Sequence, residues 1–318
     1  MSVRRGLAAV ALAVGCAAGG PLGAADLAVV TSQGAGALSL LDPGAGTVLA
    51  TVPLPGKPAA VAVDAARGRI LVVAVETATL HVLDLQGRPL RTLALDGAPF
   101  GVAISPVTGL AYVSDWEGTA VAELDPGAGT RLRRLPTGAA PSGLVVSDDG
   151  ATLVTADRDA DQVSLIDLAS GRARTVAVGR HPFGVTLRDG RAFAANVLGD
   201  SVSVVDLATA RVIGTIPVGA RPYAIAFAGG EGFVTNQYGS SVTVFDAATL
   251  AVHDTIAVGD YPEGIAPMSD GRHLVLANWF SDSVMVIDAA SRAILHEIPM
   301  PEGPRAFGSF VIRLPGGG

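Results

Sequence analysis

The chain has 318 residues, of which 49% are apolar but only 5% aromatic, and it carries a formal net charge of −7 and a single cysteine. An acidic chain repels polyanions, so nucleic acid is not an expected partner, and one cysteine cannot form a disulfide within the chain. Glycine (40) and proline (20) are abundant, which favours many short strands joined by tight turns.

Residues 1–25 have the pattern of a secretory signal peptide. Arg4-Arg5 precede an uncharged stretch rich in Ala, Leu and Val, and small residues up to Ala25 offer a cleavage site before Asp26. The stretch is too short and too rich in Ala and Gly for a membrane span, and no later segment is apolar enough. We therefore expect a periplasmic or secreted protein; the alternative is a lipoprotein anchored at Cys16.

The chain after residue 25 is a repeat. It begins with three strand-like runs, LAVVT (27–31), ALSLLD (37–42) and VLATVP (48–53), and continues with units of four such runs. The opening unit lacks its first run, so ALSLLD takes the place of a third run. An aspartate ends the third run of every unit, at spacings of 39 to 42 residues: Asp42, Asp84, Asp125, Asp167, Asp206, Asp246 and Asp288. A period of about 40 residues in short strands indicates propeller blades.

The number of runs predicts a closed ring. Six full units, three runs at the start and one at the end (FGSFVI, 307–312) make seven blades of four antiparallel strands. We therefore expect residues 26–318 to form a single all-β domain, a seven-bladed β-propeller. The last run pairs as the inner strand with the first three, which hides strand edges. The repeated aspartates precede turns, so we expect them to accept backbone N–H bonds rather than to catalyse.

Three of the units share recognisable sequence motifs. They read VGRHPFGVT, AFAAN, SVSVVD; VGARPYAIA, GFVTN, SVTVFD; and VGDYPEGIA, LVLAN, SVMVID. These motifs resemble the YVTN-type β-propeller repeat, and the resemblance covers essentially all of residues 26–318. It implies a seven-bladed propeller exported from bacterial cells, with lactonase-like propellers and propeller subunits of periplasmic redox enzymes among its wider relatives. Two positions depart from the pattern: Glu123 replaces an apolar residue, and Ala306-Phe307-Gly308 stands where Pro-x-Gly is expected.

Strand direction sorts the turns into two faces of the ring. The turns from the fourth to the first strand and from the second to the third share one face, and the scarce aromatic residues gather there beside charged and amide side chains. Such a face suits ligand recognition, although the rings could instead only plug the channel, and the asparagines could only stabilise turns. The candidate binding residues are Phe100, Trp116, Phe183, Tyr223, Asn236, Tyr238, Tyr261, Asn278, Trp279 and Arg305.

Two weaker hypotheses concern chemistry on the same face. His181, Arg221 and Glu263 could polarise or protonate a substrate, as in a lactonase-like hydrolase. Asp157, Asp159 and Asp161 alternate like the opening of a calcium loop. However, Gln162 replaces the turn glycine and Leu168 the bidentate glutamate of such a loop, so we expect no metal site.

The sequence favours a binding module over an enzyme. It contains no phosphate-binding glycine loop with lysine, no His-Glu-x-x-His, no Gly-x-Ser-x-Gly and no haem-attachment motif, so we expect no cofactor. The expected partner is a protein or a small molecule held at the channel mouth, and the expected state is a monomer. The alternatives are a lactonase-like hydrolase and an accessory subunit of a periplasmic redox enzyme. Nucleic acid could stack on Trp279 and Phe280, but the net charge opposes it.

Overall fold

Short strands and three single turns of 3₁₀ helix make up the regular structure of residues 26–314, the part of the chain that this computed structural model describes. The predicted signal segment and Cys16 lie outside the described residues. The strands of the first half are β1 (Asp26–Ser32), β2 (Ala37–Asp42), β3 (Thr47–Pro53), β4 (Pro58–Asp64), β5 (Arg69–Ala74), β6 (Thr79–Asp84), β7 (Pro89–Ala94), β8 (Pro99–Ile104), β9 (Ala111–Asp115), β10 (Ala120–Asp125), β11 (Thr130–Pro136), β12 (Pro141–Val146), β13 (Thr152–Asp157), β14 (Gln162–Asp167) and β15 (Ala173–Ala177).

The strands of the second half are β16 (Pro182–Arg188), β17 (Arg191–Asn196), β18 (Ser201–Asp206), β19 (Arg211–Pro217), β20 (Pro222–Ala228), β21 (Glu231–Asn236), β22 (Ser241–Asp246), β23 (Val252–Ala257), β24 (Pro262–Pro267), β25 (His273–Asn278), β26 (Ser283–Asp288), β27 (Ile294–Pro299), β28 (Phe307–Ser309) and β29 (Val311–Arg313). The 3₁₀ turns are Ala65–Arg67, Arg158–Ala160 and Gln237–Gly239. Among the described residues, no helix is long and apolar enough to cross a membrane.

Seven four-stranded antiparallel blades stand in a ring, as predicted. Blades 2 to 7 are β4–β7, β8–β11, β12–β15, β16–β19, β20–β23 and β24–β27, each in chain order. Blade 1 combines β29 with β1, β2 and β3. The first strands of blades 2 to 7 pack each against the next, and β28 packs against β24 and β4, so these inner strands surround a central channel.

The ring closes through the last strands, also as predicted, but the closing segment is split in two. Val311–Arg313 pairs antiparallel with β1, whereas Phe307–Ser309 runs parallel to β4 of blade 2. Phe310, between the two pieces, is fully buried, and its carbonyl accepts a hydrogen bond from the Val29 N–H (2.8 Å). One segment therefore joins blades 1 and 2 as well as the two ends of the chain.

The seven aspartates confirm their predicted role in turns. Each lies at the end of a third strand and accepts at least one backbone N–H from the turn that follows, for example Thr209 N–H to Asp206 Oδ1 (2.7 Å). The Thr209 hydroxyl donates to the same oxygen, and these hydrogen bonds lower the pKa of the Asp206 carboxyl. Because the turn needs an acceptor at this position, the aspartate recurs with the blade.

The repeated glycine of the inner strands reflects close packing of neighbouring backbones. A Cβ at Gly184 would overlap the carbonyl oxygen of Tyr223 in the next blade, and one at Gly264 would overlap that of Ala306. No side chain fits between backbones this close. The residues on either side of each such glycine are therefore fixed relative to the adjacent blade.

In blade 3, Glu123 stands where the other blades have an apolar residue, and its local contacts explain this. Glu123 is buried, and it accepts a hydrogen bond from the Tyr112 hydroxyl (2.9 Å) and pairs with Arg133 of the outer strand. Burial and this carboxylate raise the pKa of the Tyr112 hydroxyl well above its usual value. The buried charge is thus paired and hydrogen-bonded, which is the condition under which an interior tolerates it.

Candidate functional site

The residue after each inner-strand proline, or after Ala306 in the closing segment, lies at the channel mouth. The seven side chains at this repeat position are Ala59, Phe100, Ser142, Phe183, Tyr223, Glu263 and Phe307. The four aromatic members meet across the ring: the ring centroid of Phe183 lies 5.5 Å from that of Phe100, 4.2 Å from that of Tyr223 and 5.2 Å from that of Phe307. We call Phe100, Phe183, Tyr223 and Phe307 the aromatic plug. All four are buried, so they close this end of the channel.

Phe307 was absent from the predicted binding residues. Its position in the repeat, one residue after Ala306 where the other units have proline, is the signal that could have found it. Trp116 was predicted, and it packs on the edge of the plug, 4.7 Å from Phe100 between centroids. It is half-buried, with the Arg158 guanidinium 3.7 Å above its ring.

An ion pair is buried beside the plug. Arg305 Nε donates to Glu263 Oε2 (2.7 Å), and its Nη2 donates to the Tyr223 hydroxyl (2.7 Å). Its Nη1 donates to Gln33 Oε1 of blade 1 (3.2 Å), while Gln237 Nε2 donates to Glu263 Oε1 (2.9 Å). Arg305 thereby links side chains of blades 1, 6 and 7. Gln33 and Gln237 were not among the predicted binding residues, because nothing in the repeat distinguishes them from other turn residues.

Burial dominates the titration of this pair. It raises the pKa of the Glu263 carboxyl to about 7, although Arg305 and Gln237 act in the opposite direction. Burial also raises the pKa of Tyr223 well above its ordinary range. For Arg305, burial disfavours the charged form, but Glu263 and Tyr223 outweigh it and raise the pKa. The Arg305 guanidinium therefore stays charged, while the Glu263 carboxyl has a pKa of about 7.

A second aromatic group lies outside the plug and reaches solvent. Tyr238, Tyr261, Trp279 and Phe280, which we call the aromatic rim, form a continuous row, with centroids 5.5 Å apart for Tyr238–Tyr261 and 4.7 Å apart for Tyr261–Phe280. Tyr238 is 64% exposed and Phe280 67% exposed. Burial and the neighbouring Tyr238 raise the pKa of Tyr261 to about 12. This rim belongs to blades 6 and 7 only.

Backbone hydrogen bonds hold the rim in place. Trp279 N–H donates to the Tyr261 carbonyl (3.0 Å), and Phe280 N–H donates to that of Asp260 (3.2 Å), so the turn after β25 is joined to the loop before β24. Tyr261 has a φ of +58°, uncommon for an aromatic residue. Its counterparts Lys57, Ala140, His181, Arg221 and Ala306 share this conformation, which therefore belongs to the repeat and not to the rim alone.

A pocket of about 320 Å³ lies between the plug and the rim, and we call it the aromatic pocket. It is lined by Phe100, Trp116, Phe183, Tyr223, Gln237, Tyr261, Glu263, Trp279, Phe280 and Arg305. Seven of the ten predicted binding residues lie here, and Tyr238 adjoins them through Tyr261. A separate apolar cavity of about 390 Å³ occupies the channel on the far side of Phe307, between inner strands.

The two predicted asparagines lie elsewhere. Asn236 and Asn278 are fully buried at the ends of second strands, and neither lines the aromatic pocket. The Asn236 amide donates to the hydroxyls of Ser241 (3.2 Å) and Thr243 (2.9 Å), and that of Asn278 donates to Ser283 (3.2 Å). These contacts fasten the second strand to the third within a blade. A ligand role for the asparagines stays a prediction without geometric support.

The three weak catalytic candidates are not brought together. Glu263 lies at the floor of the pocket, but His181 and Arg221 are outside its lining. His181 lies 3.6 Å from Asp159 through Nε2, and the Arg221 guanidinium stacks over Tyr238 at 5.4 Å. Within residues 26–314 no hydrogen bond or ion pair joins any two of the three.

The three aspartates of the possible calcium loop also point to separate partners. Asp157 is buried and accepts hydrogen bonds from the Thr155 and Ser164 hydroxyls and from Gly138 N–H. Asp159 pairs with Arg158, and Asp161 accepts the N–H of His181. Across residues 26–314, no three His, Cys, Asp or Glu side chains converge in a way that could hold a metal ion.

The closed ring of seven blades places the chain in the class of seven-bladed β-propellers. No family model matches it, and no curated protein does. Among solved structures, a functionally unknown protein from Desulfotomaculum acetoxidans has a TM-score of 0.76 at 15% identity, over 89% of this chain and 99% of that one. Hydrazine synthase of Kuenenia stuttgartiensis has a TM-score of 0.73 at 20% identity, over 82% and 92%. At these identities the likeness concerns the fold alone.

Proposed function

We propose that the protein is an exported binding protein of the YVTN-type propeller class, which holds a ligand in the aromatic pocket. The observation that carries the proposal is the pocket itself: aromatic walls, a floor with few free polar groups, and an entrance lined by exposed rings. Exposed aromatic side chains grouped around a concave site are typical of surfaces that bind another molecule. Both tryptophans of the chain line this pocket, so their fluorescence reports its occupancy.

The test is capture of molecules from a periplasmic extract on immobilised protein, followed by mass spectrometry. A Tyr238→Ala/Phe280→Ala variant removes two exposed rings without opening the core. A Leu90→Ala/Leu132→Ala variant is the matched control, because it removes exposed apolar side chains from outer strands. We expect a molecule that the wild type and the control retain and the rim variant loses. Identical sets from all three proteins would overturn the proposal.

Export is tested on the same preparation. Expression of the full chain in a bacterium with separation of the periplasm should yield a protein whose first residue is Asp26. Recovery of the uncleaved chain from the cytoplasm would contradict export, and a lipid on Cys16 would favour the lipoprotein alternative.

A hydrolase is the second candidate function, and one observation favours it. Glu263 is a buried carboxyl facing the pocket with a pKa raised to about 7, a value suited to a general acid. Lactones are the substrate class to test. Turnover of any lactone that is abolished in Glu263→Gln would support this function, whereas no turnover across the panel would remove it.

An accessory role in a periplasmic redox complex is the third candidate. It draws on the wider relatives that the YVTN-type resemblance implies and on the fold likeness to hydrazine synthase. Co-purification of a redox enzyme through the aromatic rim, lost in the Tyr238→Ala/Phe280→Ala variant, is the outcome that would favour it over a small-molecule ligand.

A further inference from the structure

The loops around the aromatic rim carry acidic side chains that no cation within residues 26–314 neutralises. Asp260, Asp282 and Glu302 are exposed, and none forms an ion pair within residues 26–314. Asp260 accepts the Ser240 hydroxyl (3.1 Å) and Asp282 the N–H of Gly303 (2.8 Å), which leaves both negatively charged. Glu302 lines a hollow against the outer side of Trp279.

Of the basic side chains near this sector, Lys57 and Arg305 are paired with carboxylates, whereas Arg221 stacks over Tyr238 (5.4 Å) and forms no ion pair within residues 26–314. Lys57, in the same hollow as Glu302, pairs with Glu76 (3.3 Å). Arg305 is buried and bonded to Glu263. Three carboxylates without an ion pair (Asp260, Asp282 and Glu302) outweigh the one guanidinium without an ion pair (Arg221), so this sector of blades 6, 7 and 1 has a net negative charge. Such a charge attracts cations and repels anions over roughly the Debye length, ~8–10 Å at physiological ionic strength.

The aromatic faces of this site already bind cations of the chain itself. The Arg158 guanidinium lies over Trp116 (3.7 Å), that of Arg305 over Trp279 (4.1 Å) and that of Arg221 over Tyr238 (5.4 Å). These distances are within the range in which the ring quadrupole attracts a positive charge. In the described part of the chain, Tyr261 and Phe280 are the rim rings without such a partner.

We infer that the aromatic pocket binds a small organic cation, an alkylammonium compound, with its charged head against Tyr261 and Phe280. The inference rests on the proposed function and specifies the ligand class of that site. Two independent features select this class: two ring faces without a cation partner, which prefer a diffuse positive charge to a neutral group, and carboxylates around the rim that form no ion pair within residues 26–314. An anionic ligand would meet Asp260, Asp282 and Glu302, whereas the guanidinium of Arg305 has its bonds directed at Glu263, Tyr223 and Gln33.

The test compares three probes by quenching of tryptophan fluorescence. Choline carries the quaternary ammonium head, 3,3-dimethylbutan-1-ol is its neutral isostere, and benzoate is a flat anion. We expect choline to bind about tenfold more tightly than the isostere, the preference that a cation–π contact confers, and benzoate not to bind. Equal binding of choline and the isostere, or tighter binding of benzoate, would contradict the proposed cationic ligand. Neither result would contradict the proposed binding function of the pocket.

Failure of all three probes is also informative. If none binds but extract capture still yields a molecule that depends on Tyr238 and Phe280, the ligand class is wrong and the proposed function stands. If capture fails as well, both are wrong. The two proposals are therefore distinguished by experiments on one protein preparation.

Three variants separate the ring contribution from that of the carboxylates. Phe280→Leu keeps an apolar side chain but removes the π face, so it should reduce the choline preference severalfold and leave the isostere unchanged. Asp260→Asn/Glu302→Gln should weaken choline binding about threefold, with a loss that disappears at high salt. Glu297→Gln, which removes an exposed outer-strand carboxylate without an ion pair in the described chain, is the control and should change neither. Equal effects of Glu297→Gln and the entrance variants would contradict a local role.

Discussion

Two groups of aromatic side chains lie on one face of the ring, and they differ in what covers them. The plug residues Phe100, Phe183 and Tyr223 follow inner-strand prolines and Phe307 follows Ala306 at the same repeat position; all four point to the axis and bury one another. The rim residues are in the outer turns, and two of the four rings are mostly exposed. Radial position in the repeat therefore decides the role of an aromatic side chain: near the axis it stabilises closure of the ring, and further out it is available to a ligand.

The ion pair is the boundary between the two groups. Arg305 contacts the plug through Tyr223 and the rim through the face of Trp279 (4.1 Å). It also reaches Gln33 of blade 1, beside the segment that closes the ring. Substitutions of Arg305 or Glu263 should therefore affect both the plug and the rim. A substitution within the plug or within the rim should affect that group only.

Arg305→Met should destabilise the protein most. This change leaves the buried Glu263 carboxylate without its cation, which should lower the free energy of unfolding by about 4 kcal/mol. Urea denaturation measures it. A Glu263→Gln/Arg305→Met double variant removes the charge together with its partner and should recover part of the loss; no recovery would mean that Arg305 acts mainly through packing on Trp279.

The next effect tests the comparison directly. Phe183→Ala opens a cavity in the plug and should lower the free energy of unfolding by about 3 kcal/mol, at the lower end of the usual range because water can enter from the adjoining pocket. Phe280→Ala, the matched removal of an exposed ring, should change it by less than about 0.5 kcal/mol. Similar losses for both variants would show that the rim is part of the core and not a binding surface.

The sequence predicted the ring well because the blade repeats its local requirements. Each third strand ends in an aspartate that its turn needs, and each inner strand has a small residue where backbones pack closely, as at Gly184. What it did not predict is the division of the last strand at Phe310. Pairing of Phe307–Ser309 with β4 of blade 2 depends on where the closed ring brings that blade, which no local pattern encodes.

The site was predicted in outline for a similar reason. Strand direction indicates which turns share a face, so it grouped the aromatic residues. It could not distinguish Phe183, which is buried, from Tyr238, which is exposed, because both follow landmarks of the repeat by one or two residues. The difference arises from the width of the channel mouth: Ala59 and Ser142 leave room there for larger rings from other blades.

A pH dependence of stability should arise from Glu263, the carboxyl of the buried ion pair. Burial raises the pKa of Glu263 from an ordinary value of 4.5 to about 7, so between these two pH values the folded protein retains a proton that the unfolded chain has released. Stability should therefore fall as pH rises through this window, by at most about 1.4 kcal/mol per pH unit. The difference between wild type and Glu263→Gln, measured by urea denaturation from pH 5 to pH 8, isolates this group from the histidines. A constant difference across the range would contradict the raised pKa.

The smallest effect concerns Asn236, which lies at the end of β21, directly before the turn that carries Tyr238. Asn236→Ala should cost about 1–2 kcal/mol, because the buried hydroxyl of Thr243 and the half-buried hydroxyl of Ser241 lose their amide donor. Asn236→Asp should cost less, since Asp157 occupies the equivalent position in blade 4 and accepts hydrogen bonds from Ser164 and from Gly138 N–H.

The same two variants separate structural from binding residues. If Asn236 only fastens strands, both variants should bind the pocket ligand as the wild type does wherever they are folded, whereas Phe280→Leu weakens binding without loss of stability. A folded Asn236→Asp protein with impaired binding would mean that the ligand reaches deeper into blade 6 than the rim. The binding site would then include the ends of the second strands as well as the exposed rings of the rim.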